Sequence, residues 1–371
     1  MKILYSLTSC LLAALLIIPV PDPVRAEETG DEADPDALET IHVTARKREE
    51  EIRDVPFAVS TLNSENLDDA RIDGTEDLFR NVPNFGFNGF NSPRFSYYSI
   101  RGVGPLSQPL SPDDTSVVTY VDGVPQPLFG ADLSFLDVER VEVLRGPASS
   151  TLYGAGALGG VIDVTTKDAA DYLKGDDKYA FRQKFEAHDN EAGFLTSSIF
   201  AARPVDELDL LGAFNYRRAG EYEAGAGNAV TGSDFEAPSG LLKGTYRFGA
   251  DKEHKLRASY QHWETEDKND NYSQTNTSLS FGYIDRDVRD QTAVLSYGYT
   301  PGNNPLIDLE VYGSYSNTEV DQYNSTLKDV STSQLFQDTF YAYETWQARV
   351  ENTASFSGDS FENHLITGVS T

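Results

Sequence analysis

From about residue 178 onward the chain is written in a period of two. Tyr179, Phe181, Phe185 and Ala187 alternate with Arg182, Lys184 and Glu186, and Leu208, Leu210, Phe214 and Tyr216 alternate with Asp209, Asn215 and Arg217. The pattern returns at Leu256, Ala258 and Tyr260 against Lys255, Arg257 and Ser259, and at Ile307, Leu309, Val311 and Tyr315 against Asp308, Glu310 and Ser314. Successive side chains of a strand point to opposite faces, so each segment predicts a strand with one apolar and one polar face. About nine such segments, each about ten residues long, suit tilted membrane-crossing strands. Short connections (203–206, 249–253, 300–305, 354–361) alternate with long ones (219–237, 264–287, 318–338), and only the first outward link, near His188–Ala192, breaks the rhythm. Outer-membrane barrels have short turns on one side and long loops on the other. A secreted β-sandwich or adhesin, the alternative, shares the alternation but has no reason for the rhythm.

Export agrees with this. Lys2, the apolar run Leu11–Ile18 and the small-residue site Val24-Arg25-Ala26 have the layout of a signal peptide over 1–26. The one cysteine, Cys10, falls inside it, so the mature chain is expected to hold neither a disulfide nor a thiolate metal site. With 30 Lys+Arg against 59 Asp+Glu the net charge is -29, and such a surface repels nucleic-acid phosphates. Residues 27–38 are acidic and poor in apolar side chains, which predicts a flexible N-terminal segment over 27–49.

Residues 50–168 read differently. Ser64 and Thr75 are N-cap candidates for short helices at Glu65–Ala70 and Glu76–Asn81. Strands are expected at Ala58–Leu62, Ser96–Arg101, Ser116–Val121, Val138–Leu144 and Val161–Thr165, with Asp122-Gly123 as a tight turn. This predicts a small, Gly-rich α+β domain. A linker over 169–177 joins it to the strands of 178–371.

The motifs in this region resemble those of TonB-dependent outer-membrane receptors. Glu39-Thr40-Ile41-His42-Val43-Thr44-Ala45 resembles their TonB box, with His42 where an aliphatic residue is usual. Asp54-Val55-Pro56, the run Asp77–Asn84, Ile100-Arg101-Gly102, Tyr120–Val124, and above all Val138–Pro147 continuing through Leu152-Tyr153-Gly154 to Gly159–Ile162, resemble their plug domain. The resemblance implies an α+β plug domain followed by a transmembrane antiparallel β-barrel, sited in the outer membrane of a Gram-negative bacterium. Such barrels close with about 22 strands, so the chain is read as cut off partway through the barrel, with only about the first nine strands present. The implied function is uptake of a scarce small ligand from outside the cell, foremost a ferric siderophore, driven by the TonB C-terminal domain and its inner-membrane motor. Haem, a vitamin or a saccharide are alternative ligands. The iron chelate would be cargo, with no resident cofactor or metal, and no enzyme chemistry is expected.

The resemblance also places the sites. Thr40, Ile41, His42, Val43 and Thr44 are expected to add as a strand to TonB, a mode suited to an extended segment on a tether; an ordinary first strand is the alternative. Phe85, Phe87, Phe90, Arg94, Gln108 and Asp113 are ligand-contact candidates at the plug apices, although the Phe trio would equally suit loop packing against the barrel. Arg101 and Arg145 match the positions that pair plug to barrel wall, with carboxylate partners expected because buried guanidinium groups need them; capping loop carbonyls within the plug is the alternative. The loops 219–237, 264–287 and 318–338 carry 14 Asp/Glu against 3 Lys/Arg, a field that disfavours strongly anionic ligands.

Other patterns weigh less. Gly154-Ala155-Gly156-Ala157-Leu158-Gly159 fits a dinucleotide fingerprint but leads into a β-like run, so no helix would face a pyrophosphate. Asp267–Asn271 begins like a calcium loop, yet Tyr272 and Ser278 stand where Gly and Glu are needed. His254 and His262 share one predicted strand about 26 Å apart and cannot share a metal.

Overall fold

In the computed structural model the described residues are 42–43, 50–51, 58–72, 77–89, 96–104, 116–126, 137–147, 156–190, 192–271, 282–329, 337–358 and 361–371. The signal peptide and most of the N-terminal segment expected from the sequence lie outside them.

The plug is built on a five-stranded mixed sheet. In chain order the elements are β1 (His42–Val43), β2 (Glu50–Glu51), β3 (Ala58–Asn63), α1 (Ser64–Asp69), α2 (Leu78–Asn81), β4 (Phe85–Gly89), β5 (Ser96–Ile100), β6 (Val117–Val121), β7 (Val124–Gln126), β8 (Val138–Arg145) and β9 (Gly160–Thr166). The sheet order is β3-β8-β9-β6-β7, with β6 and β9 parallel and the other pairs antiparallel. Val141, Val143, Ile162 and Val164 are buried at its centre, joined by Leu67 from α1, Leu78 from α2 and Ile100 from β5. Gly160 sits at φ 146°, and a Cβ there would run into the Leu144 carbonyl, so close packing of β9 on β8 requires glycine. All five expected strands form, within one or two residues at each end. Sequence reading missed β4 and β7, which are short and carry Gly or Pro.

The wall is a nine-stranded antiparallel sheet in simple up-and-down order: β10 (Tyr179–His188), β11 (Gly193–Val205), β12 (Leu208–Ala219), β13 (Phe235–Phe248), β14 (His254–Asn271), β15 (Tyr283–Tyr299), β16 (Leu309–Tyr323), β17 (Thr339–Gly358) and β18 (Phe361–Ser370). The count matches expectation; the lengths do not. Strands run from 10 to 20 residues, because on the long-loop side β14 to β17 keep pairing well beyond what a bilayer requires.

Register puts the apolar side chains in rows. Phe181, Phe200, Gly212, Leu242, Tyr260, Ala293, Tyr315 and Trp346 are successive cross-strand partners from β10 to β17. Phe181, Leu242 and Trp346 are 65%, 61% and 70% exposed, so this face meets something other than protein. An apolar outer band is what lipid requires. At the short-turn end Phe248, His254 and Tyr299 stack at 4.8 and 4.6 Å, as an aromatic girdle does. The opposite face is polar and buried, with Asp267, Arg286, Asp290 and Thr318 among its side chains.

Candidate functional site

The described chemistry concentrates where the plug meets the polar face of the wall. Asp122 and Gly123 both have positive φ, 47° and 83°, and form the two-residue turn between β6 and β7, the conformation that Asp-Gly favours. The turn aims Asp122 at β9, where its carboxylate accepts from the Thr166 N–H at 3.0 Å and from the Thr166 hydroxyl at 2.6 Å. Lys243 of β13 reaches in from the wall. Its Nζ donates to the Thr166 carbonyl at 2.9 Å and to Thr166 Oγ1 at 2.7 Å, and lies 3.4 Å from Asp122 and 3.2 Å from Asp168. Arg257 of β14 completes the group by pairing with Asp168. A second clasp holds the same turn: the Tyr312 hydroxyl of β16 donates to the Asp122 carbonyl at 3.2 Å.

Two further contacts extend this seam. Asn215 Nδ2 of β12 donates to Asp137 at 2.6 Å, both side chains buried. Arg182 of β10 places Nη2 3.1 Å from each oxygen of Asp68, at the end of α1. Burial pushes the Asp137 carboxyl up, against the pull of Asn215 and Lys167. Burial also works against the Asp168 carboxylate, but there Lys243 and Arg257 outweigh it and hold its pKa below the usual range.

Along the described part of the seam the carboxylates Asp68, Asp122 and Asp168 lie on the plug side and the cations Arg182, Lys243 and Arg257 on the wall. Arg145 instead donates from Nη1 to the Pro83 carbonyl at 3.3 Å, within the plug. Arg101 is exposed in a left-handed conformation, φ 55°, beside Gly146. A signal for these wall cations was present in the sequence: Lys243 and Arg257 fall on the polar face of period-two strands, the face that a filled lumen buries.

The segment 169–177 is likewise more than a tether. Ala169 and Leu173 are buried against Ile199, Leu211 and Leu241 of the wall. Phe85 is 6% exposed in the plug core, 5.6 Å from the Tyr98 ring, which removes it from a ligand-facing surface; the β4–β5 hairpin, not a loop, holds it there. Phe87 lies on the same hairpin, while Phe90, Arg94, Gln108 and Asp113 lie outside the described residues. Of the box, His42 and Val43 pair antiparallel with Glu51 and Glu50; Thr40, Ile41 and Thr44 lie outside the described residues. The GxGxxG run leads into β9, a strand, and Asp267–Asn271 lie within β14.

Comparison with known proteins points the same way. Residues 51–161 match the TonB-dependent Receptor Plug Domain family. The chain is 28% identical over 337 residues to the hemin receptor of Yersinia enterocolitica, covering 89% of this chain and 45% of that protein. It is 25% identical over 336 residues to the TonB-dependent heme receptor A of Haemophilus influenzae, covering 84% and 43%. Among solved structures, the hemophore receptor of Serratia marcescens, in complex with its hemophore and heme, superposes with a TM-score of 0.68 at 20% identity, covering 85% of this chain and 44% of that one. The chain thus spans less than half the length of these relatives.

Proposed function

We propose that this chain, a TonB-dependent receptor in its plug and in its wall alike, serves the energy-coupled uptake of a scarce iron-bearing ligand, with a ferric siderophore as the leading candidate. Its place is the outer membrane of a Gram-negative bacterium, the apolar rows of the wall against lipid. The observation that carries the reading is the seam. Lys243, itself buried, and Arg257 tie the half-buried Asp122 and Asp168 of the plug to the polar face of the wall. A buried ion pair is costly to break once formed, about 3–5 kcal/mol when one partner is lost. Letting a ligand past the plug therefore needs work from outside it. The segment 39–45 precedes the plug in the chain and is our candidate to receive that work; its described residues His42 and Val43 are extended. The TonB C-terminal domain, with its inner-membrane motor, would take it as an added strand.

Haem is the second reading, favoured by the similarity to haem receptors along most of the chain. In either case iron is cargo rather than a resident cofactor. Proline lacks an N–H and cannot serve a paired strand. Ile41→Pro and Val43→Pro, made in the receptor in its own outer membrane, are expected to abolish uptake while surface binding persists. Normal uptake by both would remove the box assignment. Growth under iron limitation on ferric siderophores or on haemin separates the two ligands, and growth on neither would reject iron uptake.

A further inference from the structure

Between the plug and the long-loop end of the wall lies a cleft of ≈ 450 Å³ lined by Arg71 and Arg80 of the plug and by Arg217 of β12; Arg218, also at its rim, faces outward and pairs with Glu236 at 3.4 Å. Its acidic lining side chains are Asp77 and Glu186, and Glu186 has a cation of its own, Lys184, at 3.2 Å. In a chain with twice as many acidic as basic residues, this is a local reversal of sign. Ala219 and Phe235, which line the cleft, flank 220–234, one of the long loops that outer-membrane barrels turn to the outside.

Two features fix the positions of Arg217 and of the Arg71 backbone. Arg217 lies over the Phe235 ring, 5.6 Å from its centroid, and both line the cleft. Arg71 stands just past the end of α1 at φ 51°. There its N–H donates to the Asp68 carbonyl at 3.2 Å and the Ile72 N–H donates to the Leu67 carbonyl at 2.9 Å. That pair of bonds is the helix-ending motif in which glycine is the favoured residue. A side chain held in a conformation better suited to glycine points to a use for the side chain itself.

We infer that this cleft binds a carboxylate-bearing iron ligand. Guanidinium groups match carboxylates in a planar, two-bond geometry, and the Phe235 ring offers an apolar face to the rest of the molecule. The acidic outer loops do not oppose this at close range, since their field is screened beyond about 8–10 Å at ordinary salt. Porphyrin propionates and ferric hydroxycarboxylates share the required chemistry. The inference rests on the uptake reading above and narrows it.

The test uses outer membranes carrying the receptor and four probes: haemin, haemin dimethyl ester, ferric citrate and a neutral ferric trihydroxamate. Haemin or ferric citrate is expected to bind best, and whichever does identifies the source of the carboxylate. If it is haemin, the ester binds more weakly. Arg71→Gly combined with Arg80→Gln is expected to weaken the preferred probe by roughly tenfold or more and to leave the neutral trihydroxamate unaffected. Arg71→Gly suits the backbone, so hydrogen exchange in β6 and β9 should stay as in the parent, which separates lost charge from lost fold. The inference is overturned if ester and acid bind alike and ferric citrate binds no better than the trihydroxamate, or if the double variant binds as the parent does. A trihydroxamate that is bound and imported ahead of both carboxylate probes ends the carboxylate assignment and leaves the uptake reading standing. Failure of all four to bind ends both.

Discussion

The plug sheet and the wall sheet solve opposite problems with the same strand. In the plug, β8 and β9 are covered on both faces: Val141, Val143, Leu144, Val161 and Ile162 are all at most 1% exposed, and neighbouring residues share no alternation of polarity. In the wall each strand has one face for lipid and one for the plug, so Leu242 is 61% exposed while Lys243, the next residue, is 5% exposed. An apolar side chain facing out and a cation facing in would be an error in a soluble sheet. Here the solvent is inverted, and the polar face is the buried one.

Adjacent residues on β13 give the sharpest way to break this contrast. Lys243→Leu leaves the half-buried Asp122 and Asp168 without their shared ammonium. The expected loss of plug docking is about 3–5 kcal/mol, read as faster hydrogen exchange in β6 and β9 with the wall unaffected. Leu242→Arg instead puts a charge on the lipid face and should cost about 2–4 kcal/mol of barrel stability if the site lies near the bilayer midplane. Urea unfolding in detergent or bilayer would report it with plug exchange unchanged. Should both variants disturb the same element, the two-faced reading of β13 is wrong.

Acid tests the seam more gently. A carboxylate whose native pKa lies below its unfolded value contributes stability that is complete above about pH 4 and is lost as pH falls through the native value. Asp168, which faces Lys243 and Arg257, is of this kind. Asp137, raised by burial and facing Asn215, Lys167, Arg182 and Lys243, acts in reverse: its contribution is complete below the unfolded value and is lost as pH rises through the native one. Plug exchange measured from pH 7 downward should therefore accelerate at the acid end in the parent, and Asp168→Asn should flatten that limb. Asp137→Asn should relieve the cost that the parent carries at neutral pH. An acid limb unchanged by Asp168→Asn would remove that residue from the seam.

What could be read beforehand follows the same division. The wall was legible because period two is a direct consequence of strand geometry facing two media, and the count of nine strands and their rhythm came from it. The plug was legible by its motifs and its turn chemistry: Asp122-Gly123 as a tight turn needs only local backbone preference. The partners across the seam were hidden, since six strands, β7 to β12, separate Asp122 from Lys243 in the chain. The resemblance directed attention to Arg101 and Arg145, whereas Arg257 already stood on the polar face of a period-two strand. Phe85 misled for a related reason, because a Gly-rich stretch reads as loop although the β4–β5 hairpin buries its first ring.

The smallest effect separates two readings of a single helix end. From sequence Ser64 is the natural cap of the first plug helix; in the structure Asn63 is. Its Oδ1 accepts from the Asn66 N–H at 2.8 Å, and Asn66 Oδ1 accepts in return from the Asn63 N–H at 3.2 Å. Each side chain thereby satisfies a backbone donor that the helix leaves open. Asn63 also ends β3, so the same residue closes a strand and opens a helix, and α1 carries Asp68 to Arg182 of the wall. Asn63→Ala should cost about 1 kcal/mol of local plug stability, with faster exchange at the Asn66 amide. Ser64→Ala, already inside the helix, should change little. The opposite ranking would restore Ser64 as the cap and move the start of α1 by one residue.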